Sequence, residues 1–332
     1  MKSHLILMMN RASGEVYNSF IATGFSGTPY FTLLSHNNGA ISFKASYTMP
    51  GMIEDLMFTS DDKYIATAHR GSVYFTLLYN NNGAISRASS YTLTGDGYST
   101  TITSDDKYIA VGYFSSPAFT LLYNNNGSIS FKASYTLSQS SGFYSASALR
   151  FTSDDKYIAV GNRADPQLTL LYNNNGAISF KAGYTLAGIG RSVGFTSDDK
   201  YIAIGHDGSP YFTLLYNNNG AISFKTSYTL EGSGYGVSFT SNDKYIAVGH
   251  STSPYFTLLY NNDGAISFKT SYTLPSTGRR NDFTYDDKYI AVAHFSSPAF
   301  TLLYHNDGAI SFKASYTLAA LPSGSGVAFS NL

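Results

Sequence analysis

The sequence predicts an all-β fold built as a ring of seven four-stranded sheets, a β-propeller. An Asn-rich turn ending in glycine recurs at Gly39, Gly83, Gly127, Gly176, Gly220, Gly264 and Gly308. Successive glycines lie 44 residues apart, except for 49 between Gly127 and Gly176, which marks one five-residue insertion. Each copy holds four short strand-like segments, and no helical period persists for ten residues.

The copy that follows Gly236 shows the elements in order. Segment a, 237–240, ends at the turn Asn242-Asp243-Lys244, and segment b, 245–250, is apolar with β-branched residues. Segment c, 255–260, follows Ser253-Pro254, and segment d, 265–274, follows Asn262-Asp263-Gly264. Asn-Gly and Asp-Gly sit easily at positive φ, which tight hairpins require. In segment d, Ile266, Phe268, Tyr272 and Leu274 share one parity against Ser267, Lys269, Ser271 and Thr273, the pattern of a half-exposed strand. Segments b and c are apolar on both parities, as strands covered on both faces must be. One such unit cannot cover its own apolar faces, but seven packed in a ring can.

Residues 20–24 match segment b, so the first unit lacks its segment a. Residues 326–331 match 236–241, so the C-terminal strand is expected to complete the first blade and close the ring. This gives an N-terminal lead-in, 1–16, and a single propeller, 17–332. The competing arrangement puts the apolar run 5–9 in the vacant slot.

Composition narrows the function. The 332 residues include no Cys and no Trp, which excludes thiol nucleophiles and Cys-ligated metals. Lys plus Arg equals Asp plus Glu, 21 each, and no basic run occurs, so a nucleic-acid partner is not expected. The run 5–9 is too short for a secretory signal, and nothing approaches a membrane span, so a soluble chain is expected. No cofactor is expected.

The element FTSDDKYIAVGH followed by SPYFTLLYNNNG resembles the repeats of WD-repeat-like bacterial and phage propellers. Six copies keep that core, starting at Phe58, Ile102, Phe151, Phe195, Phe239 and Phe283, although the usual turn Pro and Gly and the Trp-Asp pair are absent. The resemblance covers nearly the whole chain and implies fold rather than function. A weaker similarity is to the seven-bladed lactonases, where catalysis would require a few unique polar residues around the channel; the repeats reveal no such set.

The a–b turn (Asp61-Asp62-Lys63 and its copies) and the c–d turn are nearly constant, and variation collects in the b–c and d–a connections. In an up-and-down blade these two connections share one face of the disk. The varied face is therefore expected to carry the binding residues. From the b–c connections come Arg70, Tyr113, Phe114, Arg163, His206, Asp207 and Phe295. From d–a come Tyr98, Phe143, Tyr144, Arg191, Tyr235, Arg279 and Arg280. Tyr and Arg are the types enriched at binding hot spots, and loops on a rigid scaffold are where recognition sits. His69, His206, His250 and His294 end segment b in four different copies, too dispersed to share a metal, and read as solvent-facing or locally bonded. No nucleophile–base pair or metal site follows from spacing. The expectation is a non-enzymatic scaffold binding a protein or glycan on the varied loops, with several weak sites if the copies act alike. Its alternatives are a phage tail or virion component and a lactonase-type hydrolase.

Overall fold

The structure, a computed structural model, describes residues 19–137, 145–317 and 324–331. Seven four-stranded antiparallel sheets stand as blades. Blade 1 is assembled from both ends of the chain: Gly324–Phe329 pairs with Ser19–Phe25, which continues to Tyr30–Asn37 and Ala40–Thr48. The expected closure by the C-terminal strand is therefore found. The run 5–9 lies outside the described residues. Blades 2 to 7 follow in chain order, each running from strand a to strand d.

The innermost strands are Ile53–Phe58, Gly97–Ile102, Ala146–Phe151, Gly190–Phe195, Gly234–Phe239 and Gly278–Phe283 for blades 2 to 7, with Gly324–Phe329 in blade 1. Each pairs on one side only and packs beside the innermost strand of the next blade, closing a ring around an axis. The apolar faces of b and c are buried between blades: Phe119 and Leu121 of blade 3 pack with Leu149, Phe151 and Ile158 of blade 4. Strand c supplies a fully buried Phe in six blades (Phe31, Phe75, Phe119, Phe212, Phe256, Phe300), with Leu168 in the other. Each such ring contributes about 2–3 kcal/mol by leaving water.

The turns behave as their residues require. In the c–d turn of blade 3, Asn126 and Gly127 have φ of 48° and 92°, the pair of positive angles of a type I′ hairpin. A Cβ on Gly127 would meet the Tyr64 ring of the preceding blade at 2.5 Å. Strand d departs from simple alternation. A bulge opposite Leu258 and Leu259 leaves Lys269 without a register partner, and beside it Phe268 emerges 56 % exposed, although its parity places it on the covered face.

Constant residues also fasten blade to blade. Ser60 donates through its backbone N and its Oγ to the Asp106 carboxylate of the next blade, at 2.8 and 2.6 Å. The same clamp joins Ser104 to Asp155, Ser153 to Asp199, Ser197 to Asp243 and Ser241 to Asp287. At the closing blade, Asn331 donates its backbone N to Asp62 at 2.8 Å. The repeated second Asp is thus an inter-blade clasp.

Candidate functional site

The two faces of the disk separate as the connection rule requires. On one, b–c loops bond d–a loops: Arg70 N donates to Met52 O, Phe114 N to Asp96 O and Asp207 N to Ile189 O. On the other, Asn80 N donates to Lys63 O, joining the c–d and a–b turns, and the pattern repeats around the ring.

Aligned by position, the innermost strands read GSGVAF, IEDLMF, GYSTTI, ASALRF, GRSVGF, GYGVSF and GRRNDF for blades 1 to 7. The second, third and fifth positions carry charges that the other copies lack. Because these strands ring the axis, singular residues from separate blades converge there.

The second positions meet at the mouth on the varied face. Glu54 is 2 % exposed and holds two guanidiniums, Arg70 Nε at 2.6 Å and Arg279 Nη2 at 3.2 Å. Arg70 lies over the Tyr98 ring, and Arg279 lies over both Phe295 and Tyr235. Arg191 also faces Tyr235 and is bound by Asp207 through two nitrogens. Tyr98 continues to Phe114, over which Arg163 stacks.

Below the mouth, Arg280 crosses the channel. Its Nη1 donates to the carbonyls of Arg191 and Tyr235, its Nη2 to that of Ser147, and its Nε faces Asp55 at 3.5 Å. One side chain of blade 7 thus ties blades 2, 4, 5 and 6 across the axis.

Beyond Arg280 the channel widens into a cavity of about 320 Å³ that reaches the a–b turns. Asp55, Arg150 and Asp282 line it. Asp55 accepts the backbone N–H of Thr100 at 3.1 Å, and Asp282 accepts that of Phe329 at 2.9 Å. Burial pushes the Asp282 carboxyl up to about 6, with Asp55 adding repulsion and the Phe329 N–H and Arg150 opposing. Burial also raises Asp55, against Arg280. Asn281 Nδ2, Thr100 Oγ1 and Ser192 Oγ belong to residues of the lining but are themselves buried against neighbouring strands, where they have no hydrogen-bond partner.

The residues expected on the varied face distribute unevenly. Arg70, Phe114, Arg163, Asp207 and Phe295 are on b–c loops as expected. Tyr98, Arg191, Tyr235, Arg279 and Arg280 sit in innermost strands rather than loops and reach the axis. Tyr113 and His206 are not displayed at all, being 1 % and 0 % exposed. Both end strand b, which is covered on both faces, and both turn inward to bond strand c, at Thr120 and Thr213. His69, His250 and His294 do the same with Thr76, Thr257 and Thr301, so the solvent-facing reading is wrong and the local-bond reading right. Phe143 and Tyr144 lie outside the described residues. Glu54, Asp55, Arg150 and Asp282 were missed.

Fold and axis together define a seven-bladed β-propeller with one singular polar channel. No protein-family model and no curated protein matches the sequence. Solved structures match throughout. A candidate 6-phosphogluconolactonase of Bacteroides uniformis superposes with a TM-score of 0.83 at 12 % identity, covering 95 % of this chain and 100 % of that one. The periplasmic gluconolactonase of Pseudomonas aeruginosa gives 0.76 at 12 % over 94 % and 99 %. The Cps50 (Swd1) β-propeller domain of Myceliophteria thermophila gives 0.69 at 11 % over 86 % and 94 %. At these identities the likeness is one of fold.

The expected non-enzymatic scaffold needs correction. It rested on the premise that faithful repeats leave nothing singular around the channel. The innermost strands overturn that premise, and the structural neighbours include proteins named as lactonases. Among the described residues, no helix is long and apolar enough to cross a membrane.

Proposed function

We propose that the chain is a lactonase-type hydrolase that opens a sugar lactone in the axial cavity. The observation that carries this reading is the convergence of Asp282, Asp55 and Arg150 in one cavity. A pocket of this size with a few convergent polar groups and a perturbed carboxyl is the form an active site takes.

Ester hydrolysis needs a base for water and a positive group for the oxyanion. Asp282, with its carboxyl near 6, is ionised at neutral pH yet basic enough to take a proton. Water attacks the lactone carbonyl carbon as Asp282 takes its proton, and the carbonyl oxygen becomes an oxyanion facing Arg150. Collapse breaks the carbon–ring oxygen bond, and Asp282 returns the proton to the departing alkoxide. The product is the open hydroxy acid, and one water is consumed.

The test is pH-stat hydrolysis of δ-gluconolactone and of 6-phosphogluconolactone, read against spontaneous opening. Asp282→Asn is expected to lower kcat by about 10²–10⁴-fold, the range of a general base. Wild-type kcat/KM is expected to rise through pH about 6 as Asp282 loses its proton. Rates equal to the spontaneous reaction, or an Asp282→Asn enzyme as fast as wild type, would refute the reading.

A further inference from the structure

The mouth on the varied face is not part of the cavity. Arg280 lies between them, held by three backbone carbonyls and facing Asp55, and neither Glu54 nor Arg279 lines the cavity beneath. We propose that this mouth is a separate binding site for a small multivalent oxyanion, a diphosphate or a dicarboxylate, gripped by Arg70, Arg191 and Arg279.

Two features of the site carry the inference. First, the guanidiniums are pre-oriented. Glu54 fixes Arg70 and Arg279 through its two oxygens, and Asp207 fixes Arg191. Aromatic faces hold their planes: Tyr98 for Arg70, Tyr235 for Arg191 and Arg279. Arginine forks held in this way lose little entropy on meeting a planar or tetrahedral oxyanion.

Second, the donors are not exhausted. Arg191 spends Nε and Nη2 on Asp207, which leaves Nη1, and Arg279 spends only Nη2. Glu54, by contrast, is sealed between its arginines and has no room to act on a ligand itself.

These groups do not recur in every blade. The second position of the innermost strand is Ser325 in blade 1 and Ser147 in blade 4, against Arg191 and Arg279 in blades 5 and 7. One anion site per chain follows, off the axis toward blades 2, 5 and 7.

Isothermal titration calorimetry of the full chain at low salt, with sodium pyrophosphate in one arm and sodium succinate in the other, tests this. Saturable one-to-one binding in at least one arm is expected, and the stronger arm identifies a phosphate or a carboxylate ligand. Arg191→Lys, which keeps the charge but loses the fork, is expected to weaken binding about tenfold. Asp282→Asn, across Arg280 from the site, is expected to bind unchanged, so this result stands or falls apart from lactone hydrolysis. Absence of saturable heat with both anions, or wild-type affinity in Arg191→Lys, would overturn the proposal.

Discussion

Acid should unfold this propeller through the histidines that end strand b. His69, His250 and His294 are fully buried, each bonds a strand c threonine through Nε2, and burial lowers each to about 4. A histidine near 6.5 when unfolded and near 4 when folded stabilises fully above pH 6.5, and its contribution is lost as pH falls toward 4. At pH 5 the loss is about 2 kcal/mol per ring, or about 6 kcal/mol for three, comparable with the whole stability of many domains. Asp282 works in the opposite sense. Its raised carboxyl stabilises the fold as pH falls below 6, by about 1 kcal/mol at pH 5. Blade 4 supplies the control, because there Asn162 bonds Thr169 at 2.7 Å from the same position without a titrating group. The triple variant His69→Asn, His250→Asn, His294→Asn should therefore keep the fold at pH 7.5 and resist acid. Urea unfolding at pH 7.5, 6.5, 5.5 and 5.0 measures both proteins. The wild-type curve should fall relative to the variant by about 3–4 kcal/mol per pH unit near pH 5.5, with every other titration cancelling in the difference. Two parallel curves would mean that burial does not hold these imidazoles neutral, and the reasoning would fail.

Arg280→Ala should cost about 3–5 kcal/mol in urea unfolding, because it strips Asp55 of its cation and three carbonyls of a donor; a loss under 1 kcal/mol would show that the cross-channel ties are idle. Gly127→Ala should destabilise by at least 1–2 kcal/mol, from positive φ and the Tyr64 ring in the way of a Cβ; an unchanged Tm would refute the turn geometry. Asn126→Asp should gain up to about 1 kcal/mol at low salt, since Lys63 donates to Asn126 Oδ1 at 2.6 Å where Lys200 already pairs with Asp263. That gain should vanish in 1 M NaCl, and a gain indifferent to salt would point to another cause.

Fold and site were legible to very different degrees, and for one reason. Turn chemistry is local, so Asn126-Gly127 and its copies announce hairpins at a fixed period, and the period counts the blades. Ring closure was readable because 326–331 repeats 236–241. The axial site is assembled by closure from residues far apart in sequence, Asp55, Arg150 and Asp282, each unremarkable in its own copy. A signal existed in the innermost strands, where Asp55 and Arg280 at the third position and Arg150 and Asp282 at the fifth break columns otherwise made of small or apolar residues. Reading variation by loop rather than by strand position hid it. The same habit placed Tyr113 and His206 at the surface, when the register of strand b turns them toward strand c.

The Ser–Asp clasps have a consequence for how such a gene can change. Five junctions use the same donor and the same acceptor, so the edges that blades 2 to 6 offer their successors are interchangeable. Recombination between copies could excise or add a whole unit without creating a mismatched seam, and only the circumference would object. What cannot be shuffled is the inward-facing signature of each innermost strand. The rim of this wheel is mass-produced, while the hub is made to order.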